Sequence, residues 1–148
     1  MRSPLLASLI ALAFVGSPFT DTLAHAWCGT DVVIIKGRVE HPPPSTSVSV
    51  RVQLVLPKQK RGESGEVTVE NGKFTIQIPF LTQSRAPVLI GNLMEKCDRK
   101  PKNVVVTLIE RDRDQEYDRV SLDLAKDFKM ADPSAYTPRS EIVLSGPH

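Results

Sequence analysis

Residues 66–79 read Glu66-Val67-Thr68-Val69-Glu70-Asn71-Gly72-Lys73-Phe74-Thr75-Ile76-Gln77-Ile78-Pro79, two alternating apolar and polar runs around Asn71-Gly72. Alternation with period two sends successive side chains to opposite faces of a strand. Asn-Gly between two such runs calls for a two-residue hairpin turn, because both central positions need positive φ and these two residues accept it at least cost. A register follows: Glu70 opposite Lys73, Val69 opposite Phe74, Thr68 opposite Thr75 and Val67 opposite Ile76. The apolar pairs then share one face, which is expected to be core.

The same period extends in both directions. An apolar run over 32–39 ends at Glu40-His41 and at Pro42-Pro43-Pro44, whose missing donors cannot continue a ladder. In 48–56, Val48, Val50, Val52, Leu54 and Leu56 alternate with Ser49, Arg51 and Gln53, a half-buried strand. Further strands are expected at 87–93, 103–109, 117–124 and 141–144, with a charged hairpin loop over 110–116 and a flexible loop over 58–65. A helical turn fits 123–130, with Asp132-Pro133 stopping it soon after. Seven or eight closely spaced strands and little helix predict an all-β sandwich or barrel.

The ends and the cysteines place the chain. Arg2, the apolar stretch 5–15 and Ala24-His25-Ala26 form an export signal with a small-x-small cleavage site, so residues 1–26 are read as a signal peptide and 27–148 as a single β-sandwich domain beginning at Trp27. The apolar stretch is too short for a spanning helix, which takes about 20 residues, and Trp27 rather than a small residue precedes Cys28. A secreted or periplasmic product without a stable membrane anchor is therefore expected. Its two cysteines, Cys28 and Cys97, have no partner but each other in an oxidising compartment, and a disulfide is expected between them.

The stretch Ile35-Lys36-Gly37-Arg38-Val39, the alternating strand through Val50 to Leu56, and Val69-Glu70-Asn71-Gly72-Lys73-Phe74-Thr75-Ile76 resemble the opening of a transthyretin-like or carboxypeptidase regulatory-like domain. The resemblance covers residues 33–80. It implies a small antiparallel Greek-key sandwich of seven or eight strands, usually an accessory or binding module. One enzymatic branch of that fold ends in Tyr-Arg-Gly-Ser. This chain ends in Leu144-Ser145-Gly146-Pro147-His148, so that activity is not carried over.

Asp112, Asp114, Glu116 and Asp118 occupy alternate positions, a pattern of hard oxygens that suits calcium. The glycine of a helix-loop-helix site is missing and Arg111, Arg113 and Arg119 are interleaved, so a solvated acidic edge is the preferred reading. The histidines are His25, His41 and His148; a cut after Ala24 would expose His25 to copper chelation with His41, but the Ala-x-Ala site favours Trp27 as first residue. With two histidines left after cleavage and no Gly-x-Ser-x-Gly, a nucleophile with its base is not assembled in sequence. Neither cofactor nor metal is expected. A formal net charge of +2, with Lys58, Lys60, Arg61, Arg99, Lys100 and Lys102 lacking interleaved aromatics, argues against a nucleic-acid partner.

These readings favour an exported, non-enzymatic module that binds a protein, peptide or glycan through loops or an exposed strand edge. The candidate binding residues are Lys58, Lys60, Arg61, Asp112, Asp114 and Glu116, in the two charged loops. Two other classes stay open at this point: a metal-dependent or hydrolytic envelope enzyme, and a structural protein that self-associates through an edge strand.

Overall fold

The computed structural model describes residues 28–44, 47–82 and 97–147. The expected signal peptide, Trp27, His25, His148 and the strand at 87–93 lie outside these residues. Among the described residues the chain forms nine strands: β1 (Gly29–Glu40), β2 (Val48–Leu56), β3 (Lys60–Thr68), β4 (Lys73–Thr82), β5 (Asn103–Glu110), β6 (Gln115–Asp123), β7 (Phe128–Asp132), β8 (Ala135–Pro138) and β9 (Ile142–Ser145). A four-residue helix α1 (Leu124–Asp127) links β6 to β7. No helix among them is long and apolar enough to cross a membrane, which says nothing of a β-barrel.

The strands form two sheets, as the period-two pattern predicts. One runs β4-β1-β8-β7, with β9 also paired to β1; the other runs β3-β2-β5-β6. Strand β1 is long enough to take β8 alongside Val32 and Val33 and β9 alongside Gly37 to Glu40, both in parallel, while its other edge pairs antiparallel with β4. The core lies between the sheets. Val33, Ile35, Phe74, Ile76, Ile78 and Phe80 pack from one sheet against Val50, Val52, Leu54, Val104, Val106 and Leu108 from the other, all buried.

The Asn-Gly turn forms, with φ of 53° at Asn71 and 71° at Gly72, and Glu70 does face Lys73. The expected ladder beyond it does not form. Val67 pairs with Val50 in one sheet, whereas Phe74 and Ile76 pair with Gly37 and Ile35 in the other. The turn is thus a corner between sheets rather than a hairpin within one. Alternation correctly turns the apolar residues inward, but each run finds a longer ladder with a different, sequence-distant strand than with its neighbour.

The loop expected over 58–65 is also corrected. Pro57–Gln59 is a 3-10 turn, and Lys60 already opens β3. This polar edge strand is held by the backbone of β2, with an irregularity opposite Leu54 where the Gln53 side-chain amide donates to the carbonyls of Leu54, Gly62 and Glu63. The 110–116 loop is shorter than expected, because only 111–114 turns and Gln115 and Glu116 belong to β6. The helical turn shrinks to α1, and Phe128 starts a strand; Asp123 caps α1, accepting from the amides of Ala125 at 2.9 Å and Lys126 at 3.1 Å.

The disulfide forms between Cys28 and Cys97, with Cα atoms 5.3 Å apart across 69 positions. It ties the start of β1 to the segment beside the end of β4, where the Arg99 amide donates to the Leu81 carbonyl at 3.1 Å.

Candidate functional site

A sandwich has two open sides, where the edge strands of one sheet meet those of the other. Here the two sides are built differently. On the β3/β4 side the chain itself crosses between sheets at Asn71-Gly72. Arg99 adds a second tie, donating from its backbone to β4 and from Nε to Glu63 of β3 at 2.9 Å. Gly65 lets β3 close down on β4, since a Cβ there would lie 3.0 Å from Ile76 Cδ1.

On the other side, β6 and β9 leave a cleft of about 440 Å³. Val120, Leu122 and Ile142 supply apolar lining, and Lys126, Asp127, Arg139 and Glu141 bring charge to its rim. Two aspartates fasten its ends. Asp118 accepts from the Arg119 amide of its own strand through Oδ1 and from the Ser145 amide of β9 through Oδ2, both at 2.8 Å. Asp127 accepts from the Asp123 amide at 2.7 Å through Oδ2, while its carbonyl accepts from the Arg139 amide at 2.8 Å. Each unit joins strand edges through a carboxylate or carbonyl instead of a sheet ladder.

The candidate binding residues do not meet. Lys58, Lys60 and Arg61 sit where Leu56 pairs with Lys60, and Asp112, Asp114 and Glu116 sit at the opposite end, where Val48 pairs with Glu110. A strand rise of about 3.3 Å per residue puts roughly 25 Å between these ends. The alternate acids are dispersed as well: Glu116 bonds Arg119 at 2.7 Å, and Asp118 turns into the seam. Among the described residues no group of three or more His, Cys, Asp or Glu side chains is gathered as a metal site would need. Several basic residues carry structural contacts instead, with Arg99 on Glu63 and Lys100 over the Tyr136 ring at 5.8 Å.

Glu110 and Glu116 point to different partners. The pairing of β5 with β6 slips between Leu108 and Ile109, giving β6 the extra residue Tyr117, whose hydroxyl donates to the buried Glu110 carboxylate. That hydrogen bond, then burial and the nearby negative charge, raise the Tyr117 phenol above its ordinary value of 10.0 against an opposing pull from Arg113. The phenol's neutral form is favoured in the folded state, so this contribution to stability is present below pH 10 and is lost as pH rises through the raised value. Ultraviolet titration is expected to show a tyrosine phase above pH 10 that Tyr117→Phe removes; an unchanged titration in that variant would contradict it.

On the outer face of the second sheet, Glu66 receives Arg51 at 3.3 Å and, more closely, Arg111. Burial acts to raise the Glu66 carboxyl, but hydrogen bonds and charge from Arg111 and then Arg51 outweigh it and hold the group below the usual carboxylate range.

The cleft escaped the sequence reading except for one legible signal. Asp118 shares strand parity with Val120 and Leu122, which puts an acid on the core-facing side of an alternating run. Lys126, Arg139 and Val143 carry no such mark, because only the meeting of β6 with β9, over 20 positions apart by the Asp118 to Ser145 bond, brings them together. No family model matches the chain, and no curated protein or solved structure matches it either.

Proposed function

We propose that this protein is an exported, non-enzymatic β-sandwich module of transthyretin-like, Greek-key type that binds a protein, peptide or glycan. The observation that carries the reading is the asymmetry of the two open sides: one is closed by chain crossing and Arg99, the other is held at its ends and left concave between. Concave, partly apolar sites with a few placed polar groups on a rigid scaffold are where ligands bind. The return of β4 to lie beside β1, after β2 and β3 have formed in the other sheet, supports the Greek-key order. The Cys28–Cys97 bridge supports export.

Peptide and glycan arrays probed with the protein and with its Ser140→Trp variant test this reading, because exposed Ser140 lines the cleft and a bulky side chain there obstructs it. Ligands lost in the variant at unchanged melting temperature are expected. Arrays with no cleft-dependent ligand, alongside turnover of ester or glycoside substrates, would favour the enzyme reading instead. A mass that grows with concentration and no retained ligand would favour self-association.

A further inference from the structure

Two basic stretches that are distant in sequence meet at one end of the second sheet. Lys60 opens β3 opposite Leu56, and Arg61 follows opposite Val55. From the other side of β2, Asn103 pairs with Val55, and the Lys102 amide donates to the Val55 carbonyl at 2.8 Å. Lys60 and Lys102 therefore flank the end of β2 at two strand spacings, roughly 10 Å, with Lys58 in the turn that joins β2 to β3. Lys58, Lys60, Arg61 and Lys102 are all exposed and have no ion pair among the described residues.

The acids around them leave this charge uncancelled. Glu63 is held by Arg99 at 2.9 Å, and Asp123 accepts from the amides of α1. Asp98, exposed and next to Arg99 in the chain, is the remaining carboxylate on this end of the sheet among the described residues. Four free cations thus face one free carboxylate. The turn carries a second mark. Lys58 and Gln59 both take left-handed backbone, with φ of 62° and 59°, a conformation that strains a side chain and not a glycine. A lysine held under strain where glycine would be more stable motivates a functional reading of this turn.

We infer that this end of the sandwich binds a sulfated glycan. Cations spread over roughly 10 Å suit a chain that repeats its anions rather than one isolated carboxylate or phosphate. A nucleic acid would draw on aromatic faces for its bases, and the patch exposes none among the described residues. An acidic peptide gains affinity from an open strand edge and apolar pockets; here the carbonyls of Gly62 and Glu63 are taken by the Gln53 amide, and Leu56 and Pro101 are buried. An anionic membrane is gripped through large apolar side chains beside the cations, whereas the exposed one among the described residues, Met130, lies on β7 of the first sheet. Sulfates along a sugar chain require only spaced, solvated cations. The inference rests on the exported binding-module reading and adds a surface separate from the cleft.

Calorimetric titration of the intact protein tests it, with a sulfated dextran oligosaccharide as probe and unsulfated dextran, hexaglutamate, a thymidine hexanucleotide and phosphatidylglycerol vesicles as controls. Sulfated dextran is expected to bind about tenfold more tightly than each control at low salt and to weaken as salt rises. Lys60→Glu with Lys102→Glu should lower that affinity about tenfold while the melting temperature and the cleft-dependent array ligands stay unchanged. Lys58→Gly separates charge from folding: it removes a cation and relieves the left-handed strain, so affinity should fall about threefold while the melting temperature holds or rises. Affinity that survives both variants, or tighter binding of any control, would overturn the glycan site. Loss of sulfated-dextran binding in Ser140→Trp would overturn it in favour of the cleft. Retained sulfated-dextran binding alongside arrays without a cleft-dependent ligand would overturn the cleft and support this surface.

Discussion

Removing the disulfide with the double substitution Cys28→Ser and Cys97→Ser is expected to lower the melting temperature by on the order of 10 °C. Closing a loop across 69 positions restricts the unfolded chain by roughly 4 kcal/mol in chain-entropy reasoning, and measured losses in small exported domains run about 2–5 kcal/mol. The native geometry indicates where the loss will show first. Cys28 and Cys97 are buried in a small cluster apart from the main core, with the half-buried Leu81 packed against them, so what the bridge anchors is the beginning of β1 against the end of β4, at Gly29 opposite Thr82. Hydrogen exchange should accelerate most at residues 29–31 and least at Ile35, deep in the main core. A melting shift under about 2 °C, or uniform acceleration across β1, would show that β1 holds its place through β4, β8 and β9 alone.

That division between a peripheral staple and a self-sufficient core also explains how much the sequence disclosed. Alternation is a local property, so β1, β2, β4 and β5 were readable to within a few residues, and the two cysteines left a single possible pairing. Identity of partners is not local. Val67 and Phe74 flank the same turn yet enter different sheets, a choice decided by β2 and β1 and invisible in 66–79. Lys60 to Ser64 form a strand although charged and glycine-bearing, because β2 supplies their hydrogen bonds and an edge strand needs no buried face of its own. The cleft was hidden for the same reason, since its floor comes from β6 and its far wall from 138–143. The charged stretches 58–61 and 112–116 are dense along the chain, but that density marks exposed turns and the strand ends beside them, in β3 and β6, at opposite ends of one sheet.

Gly37→Ala is expected to be the most damaging single substitution tested, lowering stability by about 3 kcal/mol and removing cleft-dependent binding with it. Gly37 sits at the centre of the Ile35-Lys36-Gly37-Arg38-Val39 motif, on the inward parity of β1 between Ile35 and Val39. Its backbone is ordinary strand, so the requirement for glycine is space and not conformation. A Cβ at this position would lie 2.5 Å from Phe74 Cζ and would also collide with the Ile142 carbonyl oxygen. Phe74, its partner across β4 and 4% exposed, can swing aside only by opening the core. The Ile142 carbonyl belongs to β9 and can retreat only by breaking the β1–β9 pairing. That pairing positions Ile142 and Val143 in the cleft and aims the Ser145 amide at Asp118, so overpacking at Gly37 propagates directly to the proposed binding surface. The two collisions can be separated. Combining Gly37→Ala with Phe74→Leu relieves the ring contact but not the carbonyl contact, so the pair should recover part of the stability and none of the binding. Full recovery of both would mean that β9 tolerates displacement, and that the motif's glycine serves Phe74 alone.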